Sequence, residues 1–270
     1  MRRCAVLGSP IAHSLSPVLH RAAYAHLRLD WQYEAVDVTE GGLAEFVAGL
    51  DHTWRGLSLT MPLKVEALRV GDEVSEVARL IGAGNTMIFE SGRRMVTNTD
   101  AFGLTDALSR RGVEQIDSAL ILGGGATARS SLVGLAALGA RRVAVSVRTA
   151  SRIADLARIA DALEVSLQPL EWSSAALVDV DVCVSTVTSG AADDFAEAVS
   201  DHAAVVFEAL YEPWPTRLVE VAEAAGRTVL GGLDLLVGQA VRQVRGMTGS
   251  DVPAAVLLAA GQQALASGER

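Results

Sequence analysis

The chain has 270 residues, half of them hydrophobic, and a formal net charge of −9 at neutral pH. That length accommodates one large or two ordinary domains, with a core that needs no disulfides. The acidic balance and the lack of a basic tract argue against nucleic acid or an anionic membrane as partner. The two cysteines, Cys4 and Cys183, lie far apart among apolar residues and read as buried thiols. The five histidines show no metal-ligand spacing, so no metal is expected. The first apolar run, Cys4 to Leu7, is broken at once by Gly8-Ser9-Pro10. It is too short for a signal-peptide core or a membrane span, and a cytoplasmic location is the expectation.

In chain order, Ala5–Leu7 and Gln32–Val38 read as strands. Between them Pro17–Leu27 reads as a helix, with Ser16 as N-cap and Pro17 at its first position. Helix Leu43–Leu50 and strand Leu57–Leu59 follow, then helical stretches at Val65–Arg69 and Val74–Ile81. Thr86–Glu90 and Arg94–Thr97 flank Ser91-Gly92 as a hairpin. From residue 104 onward strands and helices alternate: helix 104–111, strand Ala119–Leu122, helix Thr127–Leu138, strand Arg142–Val147, helix 151–163, strand Val165–Pro169, helix 173–177, strands Val180–Ser185 and Ala204–Glu208, helix 215–225 and strand Thr228–Leu230. Such alternation implies an α/β fold with a parallel sheet covered on both faces. Two Ala/Leu/Val-rich helices, Leu235–Met247 and Pro253–Ala266, close the chain. A change of pattern near residue 100 marks a domain boundary without a linker.

Gly123-x-Gly125-x-x-Ala128 stands where a strand ends and a helix starts. In that context the first glycine serves a tight turn, the second lets backbone amides approach a pyrophosphate, and the small third residue lets helix and strand pack. The helix N-terminus adds amide donors for phosphate, so Gly123, Gly124, Gly125, Ala126 and Thr127 are expected to bind a dinucleotide. A glycine-rich turn without ligand is the alternative. The next strand runs into Ser146-Val147-Arg148-Thr149 and then Ser151-Arg152, with no carboxylate to bond a ribose hydroxyl. Guanidinium forks match a phosphate, so Arg148, Thr149 and Arg152 favour NADP over NAD; a solvated basic loop is the alternative.

Five blocks carry a resemblance to a known family. Gly8-Ser-Pro-Ile-Ala-His-Ser-Leu-Ser-Pro-Val-Leu-His20 resembles the opening signature of shikimate dehydrogenases. Gly56-Leu-Ser-Leu-Thr-Met-Pro-Leu-Lys64, Ile81-Gly-Ala-Gly-Asn-Thr86, Thr97-Asn-Thr-Asp-Ala-Phe-Gly103 and Gly232-Leu-Asp-Leu-Leu-Val-Gly-Gln239 agree in order and spacing. The resemblance covers nearly the whole chain. It implies two domains: an N-terminal α/β substrate-binding domain, residues 1–100, completed by C-terminal helices within 236–270, and a doubly wound Rossmann NADP-binding domain at 101–235. It also implies the reversible NADP-dependent step between 3-dehydroshikimate and shikimate, in aromatic amino acid (chorismate) biosynthesis, by a monomer or homodimer.

The same resemblance assigns roles. Ser14 and Ser16 would bond the substrate carboxylate, and Thr60, Asn85, Tyr211 and Gln239 its hydroxyls or carboxylate. Lys64 and Asp100 would be the catalytic pair, Asp100 also touching substrate. Ala209 and Gly232 would flank the nicotinamide, and Glu76 matches a minor cofactor-side position. A small ring with one carboxylate and several hydroxyls does call for many short polar groups, and hydride transfer needs a positioned acid or base at the reacting oxygen. Taken singly, Ser16 and Asp100 also fit as helix caps and Lys64 as solvated surface.

Three positions depart from the resembled pattern: Ser58 and Val147 stand where Asn is usual, and Glu208 where Asp is commoner. Two relatives remain as alternatives, a quinate/shikimate dehydrogenase and an aminoshikimate-type enzyme. A non-catalytic sensor of NADP and a metabolite is a further one, although a sensor has no reason to keep both Lys64 and Asp100.

Overall fold

The structure, a computed structural model, describes residues 1–174 and 177–268. The chain divides into two compact units, one formed by Met1–Thr99 with the stretch from Leu236 onward, the other by Asp100–Leu235.

In the first unit the chain runs β1 (Arg2–Gly8), α1 (Ser16–His26), β2 (Trp31–Asp37), α2 (Leu43–Ala48), β3 (Trp54–Leu59), α3 (Ala67–Val70), β4 (Glu73–Val74), α4 (Glu76–Ile81), β5 (Thr86–Glu90) and β6 (Arg93–Thr97). Its sheet has the order β2-β1-β3-β5-β6-β4. β1 pairs in parallel with β2 and β3, whereas β5 runs antiparallel to both β3 and β6. Ser91 (φ 52°) and Gly92 (φ 75°) form the hairpin turn, whose left-handed backbone matches the twist of the strands. Ala5, Leu7, Leu57, Leu59, Leu63 and Met87 are among the residues of one buried cluster. Glu66, also buried, accepts the Gly41 and Leu43 amides at 3.0 and 3.2 Å and so anchors the loop that starts α2.

The second unit runs α5 (Asp100–Ser109), β7 (Ser118–Leu122), α6 (Ala126–Ala137), β8 (Arg142–Ser146), α7 (Ile153–Ala162), β9 (Ser166–Leu170), β10 (Val180–Ser185), α8 (Ala196–His202), β11 (Ala203–Glu208), α9 (Arg217–Ala224) and β12 (Thr228–Leu230). Every pairing in its sheet is parallel, in the order β12-β11-β10-β7-β8-β9. This is the doubly wound arrangement: the chain builds outward from β7 through β8 to β9, then returns to the other side of β7 to lay down β10. Leu120, Leu122, Cys183, Phe195 and Val206 lie in its main core cluster. Helix α10 (Gly232–Thr248) leads back into the first unit, and α11 (Ala254–Ser267) follows.

Some local expectations are corrected. Ser16 is already helical, and it is Ser14 whose hydroxyl accepts the Ser16 amide, at 3.3 Å; the turn bonding Ser14 N to Ile11 O brings that oxygen under the first helical turn. Val74 belongs to a short strand beside β6, because Ser75 caps the helix behind it by accepting the Ala78 amide. Helix α5 starts at Asp100 instead of residue 104 and buries the small residues Ala101 and Gly103. Helix α8 had no counterpart in the expected elements. Of the helix expected at 173–177, residues 175 and 176 lie outside the described residues.

Candidate active site

The topology of the first unit gathers polar residues at one end of its sheet. The carboxyl ends of β1 and β3 lie side by side, and because β5 is antiparallel its first residue, Thr86, stands opposite Ser58 and Thr97. The segments after β1, after β3, before β5 and after β6 therefore converge. Backbone bonds knit them: Ser9 N donates to Met61 O, Thr60 N to Leu7 O, Gly84 N to Lys64 O and Asn85 N to Thr97 O, at 2.7–3.1 Å. Gly8 has no room for a side chain, since a Cβ there would lie 2.3 Å from the Thr60 methyl.

On this frame sit Ser14, Ser16, Thr60, Lys64 and Asn85, with Gln239 arriving on α10. Asn85 is buried, and its side-chain Nδ2 donates to Gln239 Oε1 at 2.8 Å and to Thr99 Oγ1 at 3.0 Å. Its Oδ1 accepts the Thr99 amide at 2.8 Å, so one edge of this carboxamide is fixed by backbone. Ser16 is buried, while Ser14, Thr60, Lys64 and Gln239 are partly exposed. Lys64 is the only lysine in the chain; every other fixed side-chain cation is an arginine. Glu76 belongs to this unit as well. It is exposed in the first turn of α4, where a carboxylate complements the helix amides, and lies in a different unit from the glycine loop.

The second unit holds the remaining residues. Gly123 follows β7 directly with φ 115°, a conformation that favours glycine, and a Cβ there would lie 2.4 Å from the Thr186 hydroxyl. Thr186 follows β10 and donates its hydroxyl and its amide to Leu122 O. Gly123 and Thr186 thus face each other across the switch point between β7 and β10, where open α/β sheets bind ligands. Thr186 was not among the expected site residues; it becomes visible only when β10 is known to return beside β7.

A dinucleotide fits this loop. Gly125 precedes α6, no side chain caps that helix, and its first turn carries no acid, so its amides suit a pyrophosphate. A Cβ on Gly125 would meet no protein atom within 4 Å, so protein packing does not demand this glycine, whereas close approach of a phosphate would. A Cβ on Gly124 would lie 2.6 Å from the Arg152 Cβ, so the stem of Arg152 stands against the loop; Arg148 and Thr149 are exposed just beyond β8.

Ala209 and Gly232 are brought together directly. A Cβ on Gly232 would lie 2.2 Å from Ala209 O, and Gly232 N donates to Leu210 O at 3.1 Å. The Trp214 ring covers Gly231. Beneath them Glu208 is buried and accepts the Leu210 amide at 3.2 Å, fixing the Ala209–Tyr211 segment. Burial pushes its carboxyl up to about 7, with backbone amides, the Leu210 amide foremost, pulling the other way. Tyr211 lies half-buried in this segment. Asp100 is buried at the first position of α5.

Among the described residues no helix is long and apolar enough to cross a membrane. Residues 6–87 match the family model of the shikimate dehydrogenase substrate binding domain. A shikimate dehydrogenase (NADP(+)) of Bacillus cereus is 33% identical over 255 residues, covering 91% of this chain and 92% of the relative. The crystal structure of Mycobacterium tuberculosis shikimate dehydrogenase superposes with a TM-score of 0.90 at 35% identity, over 97% of this chain and 100% of that one. The Thermus thermophilus enzyme, solved in complex with NADP(H) and shikimate, gives a TM-score of 0.84 at 32% identity, over 98% and 100% of the two chains. With such coverage from end to end, the chain belongs to the shikimate dehydrogenase family.

Proposed function

We propose that this chain catalyses the reversible, NADP-dependent reduction of 3-dehydroshikimate to shikimate, in the cytoplasm, as a monomer or homodimer. The observation that carries the reading is the convergence, at one end of the first unit's sheet, of the segments that carry Thr60, Asn85 and the chain's only lysine, with Asn85 bonded to Gln239. A ligand with one carboxylate and several hydroxyls is what such a set selects, because each polar group left unpaired would penalise an analogue lacking its partner.

Ser14 and Ser16 hold the carboxylate. Thr60, Asn85, Gln239 and Tyr211 bond the remaining oxygens and orient the ring. When bound, the reduced cofactor supplies a hydride to the carbonyl carbon. Lys64 gives a proton to the carbonyl oxygen and stabilises its developing charge, and Asp100 orients the ammonium. In the second unit the amides of α6 carry the pyrophosphate, Arg148, Thr149 and Arg152 the 2′-phosphate, and the Ala209 and Gly232 backbone one side of the nicotinamide.

The test follows the near-ultraviolet absorbance of reduced nicotinamide with shikimate and NADP, beside quinate, an aminoshikimate and NAD, in the wild type and in Lys64→Ala. Turnover with shikimate and NADP that collapses in the variant supports the reading. Preference for quinate with NAD moves the chain to the quinate branch, and preference for the amino substrate to that relative. Tight NADP binding with no turnover of any pair makes it a sensor.

A further inference from the structure

Behind Asn85 lies a buried polar set that the proposed substrate contacts do not include. It comprises His20 on α1, Tyr33 on β2, Ser58 on β3, Thr86 on β5 and Gln243 on α10, each no more than 4% exposed. Groups so buried need partners, and here the direction of each bond can be worked out. Gln243 lies beside the backbone carbonyl of Asn85, 3.4 Å away. A carbonyl only accepts, so the Gln243 amide must turn its Nε2 toward it. That orientation aims Oε1 at Ser58, whose hydroxyl donates at 2.8 Å, and at His20, whose Nε2 donates at 3.1 Å. With its proton used, Ser58 Oγ accepts from the Tyr33 hydroxyl at 2.6 Å. On the other edge Gln243 Nε2 donates to Thr86 Oγ1 at 3.1 Å, which sends the Thr86 proton to Asn85 Oδ1 at 2.8 Å.

The bonds thus run one way, from Tyr33 through Ser58 to Gln243, and from Gln243 through Thr86 to Asn85. They end where the Thr99 amide already fixes Oδ1. The result is that Asn85 keeps its Nδ2 edge toward Gln239. The His20 ring, stacked on Tyr33 with centroids 3.9 Å apart, closes the set from behind.

We propose that Gln243 is a positioning residue for substrate recognition, acting through Thr86 to hold the Asn85 carboxamide in the orientation that presents its N–H edge to the substrate. This rests on the proposed function, in which Asn85 and Gln239 touch the substrate. A single relay accounts for why three polar side chains, Ser58, Thr86 and Gln243, occupy a buried layer that apolar residues would fill with less desolvation.

The experiment measures kcat, KM for shikimate, KM for NADP and Tm in Gln243→Met, Thr86→Val, Thr86→Ser and the Gln243→Met/Thr86→Val double variant. Loss of one hydrogen bond in the relay is expected to raise KM for shikimate about fivefold or more, with KM for NADP unchanged. Thr86→Ser, which keeps the hydroxyl, stays near wild type, and the double variant is no worse than the poorer single one because both act on one chain of bonds. Thr86→Val keeps the test open if Gln243→Met folds poorly. A lowered Tm with an unchanged KM for shikimate, or effects that multiply in the double variant, overturns the proposal while leaving the function intact. Lack of shikimate turnover in the wild type overturns both.

Discussion

The hydroxyl of Thr186 stands 2.4 Å from where a Cβ on Gly123 would be. A methyl there has nowhere to go, and the left-handed backbone of Gly123 adds strain. Gly123→Ala is therefore expected to lower both Tm and NADP affinity. Gly125→Ala separates the two effects: its methyl meets no protein atom, so Tm should hold while NADP affinity falls about tenfold or more, since the methyl blocks approach of a phosphate. Calorimetric titration with NADP beside thermal melts reads both. Unchanged NADP affinity in Gly125→Ala would remove the pyrophosphate from this loop.

Arg148→Ala and Arg152→Ala should each weaken NADP binding by about tenfold or more, the worth of a charge-assisted bond, and leave NAD binding unaltered. Alanine keeps the Arg152 Cβ that packs on Gly124, so the loop itself should persist. The loss should shrink as salt rises. Equal losses for NAD and NADP would mean the arginines do not read the 2′-phosphate.

Because Lys64 is the only lysine, amine-directed acylation has one side-chain target besides the N-terminal amine. Acylation should inactivate the enzyme, shikimate should protect it, and peptide mass mapping should find the label on Lys64. Lys64→Ala should lower kcat about a hundredfold or more, in line with loss of a positioned acid. Full activity after complete labelling of Lys64 would end its catalytic role.

Glu208 gives a pH signature. Burial raises its carboxyl from 4.5 to about 7. Between those values the folded chain holds a proton that the unfolded chain has lost. Its contribution is complete below the lower value and disappears as pH rises through the upper one. Glu208→Gln should abolish this component, so the variant should gain on wild type by up to about 3 kcal/mol between about pH 5 and about pH 8 in urea unfolding. His20 runs in the opposite sense: burial lowers it from 6.5 to about 4, so its contribution disappears as pH falls through that range. It is common to both proteins and cancels in the comparison. A pH-independent difference would show that Glu208 does not titrate in this window.

Much of the fold was legible because the second unit alternates short apolar strands with helices, and strands Val180–Ser185 and Thr228–Leu230 begin and end where the pattern puts them. Helix α8 was missed since its Ala-Glu-Ala-Val-Ser-Asp-His has little periodicity in seven residues. The parallel pairing of β10 with β11 nevertheless demands a crossover there. Ser16 reads as the cap of α1, yet Leu15 holds that position and no side chain caps the helix, because the turn at Ile11–Ser14 leaves no local signal in the sequence. The position of the glycine loop could be read from the strand before it and the helix after it, whereas Lys64 stands out only through the resemblance its block carries. The layer of Tyr33, Ser58, Thr86 and Gln243 could not, for it assembles from positions up to 210 residues apart, each an ordinary polar residue until register brings them together.

The first unit draws on both sides of the second along the chain, which bears on synthesis. Strands β1 to β6 are complete by Thr97, yet one face awaits α10 and α11: Gly56 admits the Met247 side chain, Gly246 admits Ile88, and α1 packs on α11. The ribosome must first make the whole of Asp100–Leu235, whose sheet uses only its own strands. At about 5–20 residues per second the nascent first unit waits roughly ten to thirty seconds with that face only partly covered, by α1. The time for which that face stays incomplete is therefore set by the length of the inserted unit.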